Sequence, residues 1–76
     1  MDELWKSVLG EIELEQNITE ATFNTFFANT KLLKLDEHIA IIGVKNSFLI
    51  KTLREKHYNL IKKALAHNNY TPARID

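Results

Sequence analysis

Two short apolar runs, "KLLKL" at residues 31–35 and "HIAIIGV" at 38–44, sit in the middle of the chain with Asp36 and Glu37 alone between them. Aliphatic and β-branched content packed into so few residues favours strands over helices. The two-residue gap leaves room for a tight turn and nothing more. It lacks an Asn-Gly or Asp-Gly pair, so its type stays open.

The flanks carry a different period. From Asp2 to about Glu15, the side chains Leu4, Trp5, Val8, Leu9 and Ile12 fall on one side at helical spacing, and Asp2 and Glu3 suit the positive end of the helix dipole. Asn17 interrupts. "ITEATFNTFF" then predicts a second, shorter helix, with Thr19 as N-cap, Ile18 placed to staple onto Phe23, and Glu20 in the first turn. Beyond Val44, Asn46 can cap a long third helix that runs to about Ala66, with Lys62 and Lys63 in its last turns and "HNN" ending it. "YTPARID" closes the chain as an edge strand at best, because Pro72 cannot donate to a central ladder.

The order is therefore ααββαβ: α+β, with three helices against a two- or three-stranded sheet in a single domain over residues 1–76. No internal repeat, low-complexity tract or linker divides it.

A domain of 76 residues builds one small core and has little chain left for an elaborate active site. The 45% hydrophobic and 26% charged content is that of a globular chain. Cysteine is absent, which removes a disulfide framework, a thiolate metal site and a thiol nucleophile. No run is long and apolar enough to span a bilayer, and "MDELWKSVLG" starts acidic where a secretory signal would be basic, so a cytoplasmic location without membrane partners is expected.

The search for chemistry returns little. His38, His57 and His67 show none of the spacings of a zinc pair on one helix, so no metal is expected. Gly10 and Gly43 stand alone, and "GVKNS" lacks the repeated glycines that let backbone amides close around a phosphate. Ser7 and Ser47 have no spaced histidine and acid to activate them, and the carboxylates of the first helix read as a solvated face. The expectation is a non-enzyme with no catalytic residue and no cofactor.

Charge and aromatic placement say more. The formal net charge is zero, yet residues 1–20 carry Asp2, Glu3, Glu11, Glu13, Glu15 and Glu20 against Lys6, whereas residues 41–63 carry Lys45, Lys51, Arg54, Lys56, Lys62 and Lys63 against Glu55. Such a bipolar molecule can meet partners of either sign, or its own copies head to tail.

On a helical wheel of the third helix, Leu49, Leu53, His57, Leu60, Ile61 and Ala64 centre on one stripe, and Phe48 points roughly 160° away beside Thr52, Glu55 and Asn59. Either Phe48 folds under the preceding strand or it is there for a partner to touch. In the second helix Phe23 and Phe27 lie inside the stripe and Phe26 at its edge, next to Thr22 and Thr25. Trp5 falls inside the stripe of the first helix, where a core tryptophan is the direct reading. Lys45, Lys51 and Arg54 could follow a phosphate backbone, but with Phe48 and Tyr58 as the interleaved aromatics they imply weak, salt-sensitive binding to a single strand at most. Nothing resembles a duplex-reading motif.

"LWKSVLGEIE", "ATFNTFFANTKLL", "IAIIGVKNSF" and "LREKHYNLIKKAL", in this order from the first methionine, resemble the N-terminal domain of the bacterial chromosomal replication initiator DnaA over nearly the whole chain. The resemblance implies a KH-like α+β fold and an interaction module: weak self-association of initiators at the origin, recruitment of the replicative helicase, docking of initiation regulators and, in some members, contact with single-stranded DNA. It also implies that ATP binding and origin recognition belong to later domains absent from this chain, which then looks like the first segment of a longer protein.

Residue by residue, Leu4-Trp5 match the family's Leu-Trp pair, which makes Trp5 the self-association candidate. Phe48 matches the phenylalanine implicated in helicase contact, and Thr22, Thr25 and Phe26 occupy the helix-two surface used for helicase or regulators. Lys45 stands where the family usually has proline, Phe26 and Thr52 replace tryptophans, and Thr22 falls where some members carry glutamate. These departures put the identity of the regulator in question, since changes on a docking surface redirect partners without altering the fold. The expected function is a protein–protein interaction module of a replication initiator. The alternative is a weak KH-like single-strand binder working through Lys45, Lys51 and Arg54.

Overall fold

The apolar stripe of residues 2–13 does form a helix, α1 (Asp2–Glu13), which buries Trp5, Val8 and Ile12 in the core. The computed structural model describes residues 2–15 and 17–76. Helix α2 (Glu20–Phe26) comes after a short connection. Its cap is the expected one: Thr19 is extended (φ −78°, ψ 159°), and its hydroxyl oxygen accepts from the Thr22 N–H at 3.1 Å. That bond satisfies one of the free amides of a seven-residue helix, too short to be stable alone. Thr19→Ala should therefore cost about 1 kcal/mol in a urea melt, and Thr19→Asp should recover most of it. Ile18 and Phe23 both pack half-buried against the core, as the staple requires.

The central runs form an antiparallel pair, β1 (Lys31–Leu35) and β2 (Ile39–Gly43). Asp36 builds the turn between them. One of its carboxylate oxygens accepts from the His38 and Ile39 N–H groups at 2.8 and 2.9 Å, which holds its pKa below the usual carboxylate value. An Asx-type turn thus does what the missing Asn-Gly pair would have done.

The register slips between Leu32, opposite Ile42, and Lys34, opposite Ile41, leaving Leu33 as an extra residue. In a regular strand Leu32 and Leu35 would point to opposite faces. The bulge turns both inward, Leu32 buried and Leu35 half-buried against the core, and pushes Leu33 out. Leu33 then lies over Gly43, where an added Cβ would meet its Cδ1 at 3.0 Å.

The long third helix expected over 46–66 is two helices, α3 (Phe48–Lys56) and α4 (Tyr58–His67), so among the described residues the order is ααββααβ, with four helices. The break is at His57, whose backbone (φ −121°, ψ 5°) departs from helical values. Helical bonds persist on both sides of it, from His57 N–H to Leu53 O at 3.2 Å and from Ile61 N–H to His57 O at 3.1 Å. The joint is a kink without proline, and the His57 ring is seated against Phe26 and Phe27, with centroids 5.7 and 5.3 Å away.

The kink lets α4 turn back along α1. Ser7 bonds Asn68 at 2.8 Å, Glu11 meets His67 at 3.1 Å and Glu15 meets Lys63 at 3.7 Å, so the two helices run antiparallel. Helix α4 ends in a Schellman motif. Asn69 takes positive φ (71°), and the N–H groups of Asn69 and Tyr70 return to the carbonyls of Ala66 and Leu65, both at 3.0 Å. The "HNN" stop thus works because asparagine tolerates the left-handed conformation.

Strand β3 (Arg74–Ile75) lies parallel to β2, giving the sheet order β1-β2-β3 with Pro72 outside the paired residues. The final strand is at the edge, as the proline implied. All helices bury their apolar faces toward one continuous core in which Phe27, Ile12, Leu65 and Val8 are the largest fully enclosed side chains.

Candidate interaction surface

The turn between β2 and α3 presents an aromatic to solvent. The sequence points to Asn46 as the N-cap of the third helix. That position is held instead by Ser47, which is already helical (φ −69°, ψ −17°) and makes no side-chain cap bond. The Asn46 side chain acts one residue earlier in the geometry, accepting from the Phe48 N–H at 3.1 Å, and its carbonyl accepts from Leu49 N–H at 3.3 Å. These bonds fix the backbone from which Phe48 projects, 89% exposed. The helical wheel puts Phe48 on the polar side, and there it is.

Beside this turn lies an open groove of about 220 Å³, lined by Thr25 and Phe26 from α2, Asn29 and Thr30 from the loop before β1, Lys45 and Asn46 from the turn, and Leu49 from α3. Phe26 is half-buried: one side packs on the core and His57 while the other lines the groove. Thr25 is exposed. Thr22 is half-buried, its hydroxyl bonded to that of Thr19 at 2.9 Å, and it stands outside the groove lining. The structure therefore brings Thr25, Phe26 and Lys45 together beside the Phe48 turn. Asn29, Thr30 and Leu49 complete the groove and do not stand out in the sequence. Their only signal is that two are small polar residues in the loop between α2 and β1, a pattern shared by many structural turns.

Trp5 is elsewhere and is closed in. It is 4% exposed, and its indole N–H donates to the Thr30 hydroxyl oxygen at 3.1 Å, while that hydroxyl donates to the Phe27 carbonyl at 2.6 Å. Both polar groups of this buried relay are satisfied. Thr30 thus belongs to the core relay and to the groove wall at once.

Charge is more localised than the sequence suggests. Lys63 folds back over Glu15, so part of the basic half answers part of the acidic half within the chain, and the His67 ring hydrogen-bonds Glu11. Among the described residues, Lys45, Lys51, Arg54 and Lys56 have no carboxylate at ion-pairing distance. Lys51 and Lys45 sit at the N-terminal end of α3, whose first turn has no acid, so the helix dipole adds to their positive field. Arg54 lies on another side of α3 and lines a different hollow. The three candidate phosphate contacts are exposed but do not share one groove.

His57 ties this surface to the core. Burial lowers its pKa, and the neighbouring Lys56 lowers it further. A depressed folded-state pKa means that the unfolded chain binds the proton more tightly. The stabilisation is then complete above the ordinary imidazole value of about 6.5 and declines as the pH falls through the lower folded value. Urea midpoints measured from pH 7.5 to 5 should decrease, and His57→Phe should flatten that part of the profile. Among the described residues no group of three or more potential metal ligands is clustered, and no helix is long and apolar enough to cross a membrane.

Comparison with known proteins places this geometry. The DnaA N-terminal domain family matches residues 2–67. The chain is 36% identical over 63 residues to the chromosomal replication initiator protein DnaA of Deinococcus deserti, and 34% identical over 62 residues to that of Bacteroides thetaiotaomicron. These matches cover 83% and 82% of this chain but 13% of each relative, so the chain spans a small part of their length. The fold matches that in a crystal structure of a HobA–DnaA (domain I–II) complex from Helicobacter pylori, with a TM-score of 0.72 at 18% identity, covering 97% of this chain and 98% of that one. With a family match running from α1 to the end of α4 and relatives above 30% identity, the chain belongs to the DnaA N-terminal domain family.

Proposed function

We propose that this domain is a protein–protein interaction module of a replication initiator and not a catalyst: it holds initiator copies together, docks initiation regulators and recruits the replicative helicase at the chromosomal origin. The observation that carries the reading is Phe48, 89% exposed on a hydrogen-bonded turn next to a groove with an aromatic wall. A large apolar side chain fixed in water has an unrealised burial energy that a partner can collect. Phe48 is the anchor, Phe26 and Thr25 shape the adjoining groove, and Thr22 holds the start of α2 that carries them. The complex of the Helicobacter pylori relative with HobA supports a regulator as one class of partner.

Self-association works through the α1 region around Trp5. Since the indole is buried, Trp5 acts by holding the surface residues of α1 in place, and weak contacts gain strength from the high effective concentration of initiators gathered on DNA. No cofactor is needed in this domain, ATP belonging to a separate ATPase domain, and the setting is the cytoplasm.

A second reading rests on the unpaired Lys45, Lys51 and Arg54, which would bind single-stranded DNA weakly. An NMR titration of the labelled domain with replicative helicase from the same source tests the first reading. Shifts should cluster on residues 25–30 and 45–49 and persist when salt is raised from 50 to 200 mM. A titration with oligo-dT should give shifts on Lys51 and Arg54 that vanish over the same range. Helicase shifts confined to other surfaces would overturn the assignment.

A further inference from the structure

Two large apolar side chains stand in water away from the Phe48 turn, in surroundings of opposite charge. Leu14 is 84% exposed just past the end of α1, and Leu33 is 58% exposed on the bulge of β1. Around Leu14 the chain is acidic: Glu11, Glu13, Glu15 and Glu20 fall within residues 11–20, which hold no Lys or Arg. His67 and Lys63 engage Glu11 and Glu15, but the exposed Glu13 has no cation at ion-pairing distance among the described residues. One turn earlier, Gly10 leaves a flat spot on α1. An added Cβ there would meet no atom within 4 Å, so the fold itself does not ask for glycine, one of the poorest helix formers, in mid-helix. A close approach from outside would.

Leu33 belongs to the face of the sheet turned away from the core. Ala40 and Ile42 of β2 point inward, so alternation sends Ile39 and Ile41 to the outer face, and neither of these packs against the core. On β1, Lys34 stands opposite Ile41 and Lys31 opposite Gly43, so the two lysines flank Leu33 on the outer side. Both are exposed. Among the described residues Lys31 has no carboxylate at ion-pairing distance, and Lys34 has a surface pair with Asp36 at 3.8 Å, a contact of little strength in water. This face is thus apolar at its centre and basic at its rim. It cannot meet the acidic patch of its own molecule, because α1 packs through Trp5, Val8 and Ile12 on the inner side of the sheet, with Leu32 and Ala40.

We propose, resting on the reading that this domain self-associates, that its copies join head to tail. The α1 end of one copy, with Gly10, Glu13 and Leu14, seats on the outer sheet face of the next, where Leu14 covers Leu33 and Ile41 and Glu13 lies against Lys31 and Lys34. Charge complementarity selects a second copy as the occupant, since the acidic patch exposes the apolar residue that the basic face lacks a cover for. A copy that has used one patch still offers the other, so the contact extends along a row instead of closing into a symmetric dimer. An interface this small is weak in free solution. It gains from an effective concentration of about millimolar when copies are held side by side on DNA. Neither patch includes the Phe48 turn or its groove, which the row leaves open to a different partner.

The test follows the 76-residue chain by sedimentation and by amide shifts as its concentration is raised from about 0.05 to about 1 mM. The apparent mass should go on rising past that of a dimer, with shifts at residues 10–15, 31–34 and 39–41. Glu13→Lys on its own, and Lys31→Glu together with Lys34→Glu, should each weaken association about tenfold by bringing like charges together. An equimolar mixture of the two variants should restore it, because each then offers the other a complementary patch. Leu14→Ser and Leu33→Ser should weaken association with every charge in place, and the amide spectra report whether each variant is folded. If the wild type associates but the charge variants do so equally well, or its mass stops at a dimer, the head-to-tail contact is overturned while self-association stands. A wild type that remains a monomer throughout overturns both.

Discussion

Trp5→Ala should destabilise the domain more than any other substitution considered for it. The indole is 4% exposed, packs in a core shared by α1, β1 and α4, and donates to Thr30, which in turn secures the Phe27 carbonyl. Removing an aromatic of this size from a core costs about 3–5 kcal/mol. A chain of 76 residues has a total stability of roughly 4–11 kcal/mol at the usual 0.05–0.15 kcal/mol per residue, so the loss takes away about a quarter of it at the least and all of it at the most. Trp5→Phe should cost less, because most of the volume stays and Thr30 keeps its bond to Phe27. Chemical denaturation of the three proteins, with proton–nitrogen spectra to report the fold, measures this directly. A Trp5→Ala variant with a native spectrum and an unchanged midpoint would mean that the side chain is not part of the core. The result also bears on self-association. If Trp5→Ala monomerises the protein while unfolding it, and Trp5→Phe keeps both fold and association, the tryptophan supports a contact surface without being that surface.

Phe48→Ala should give the opposite pattern. With 89% of the side chain in water, its loss should change stability by no more than about 0.5 kcal/mol. At an interface anchor the same truncation costs about 2 kcal/mol or more, which is about 30-fold in affinity. Affinity for helicase, followed by calorimetry or by the NMR shifts of residues 45–49, is the quantity to measure. An unaltered affinity would move the docking role away from this turn. Asn46→Ala makes a useful companion: it keeps the phenylalanine but removes the side-chain acceptor that fixes the Phe48 amide. Its binding loss should be smaller than that of Phe48→Ala and should appear mainly as the entropy of ordering the turn.

The two residues show what kind of information the sequence holds. Both positions are set by periodicity: Trp5 inside the stripe of α1, Phe48 away from the stripe of α3. Helical spacing is a local, repetitive signal, and burial of one face results from it with little help from the rest of the chain. The Thr19 cap and the Asn stop after α4 are legible for the same reason, since their chemistry is complete within a few residues. The resemblance to the DnaA N-terminal domain likewise rests on contiguous segments that the family match spans.

What the periodicity misses depends on contacts between segments. The stripe from Leu49 to Ala64 runs on through His57 without a breaker, so it predicts one helix. The split arises because the His57 ring sits against Phe26 and Phe27, thirty residues earlier, while α4 aligns on α1 through Ser7, Glu11 and Glu15. The groove is invisible in the sequence for a related reason, because its lining comes from α2, the loop before β1, the 45–46 turn and α3. Thr30 reads as an ordinary loop threonine until Trp5 is placed next to it.

The sequence by itself determined the α+β class, the central hairpin, the Thr19 cap, the asparagine stop after α4 and which aromatics point inward, because each of these is set by spacing and short-range hydrogen bonding. Tertiary structure alone decided the kink at His57, the bulge that turns Leu32 and Leu35 to the same side, the pairing of Lys63 with Glu15 across the two helices, and the groove beside Phe48. Each of these depends on side chains far apart in the chain meeting in one place, and no local pattern of residues encodes that meeting.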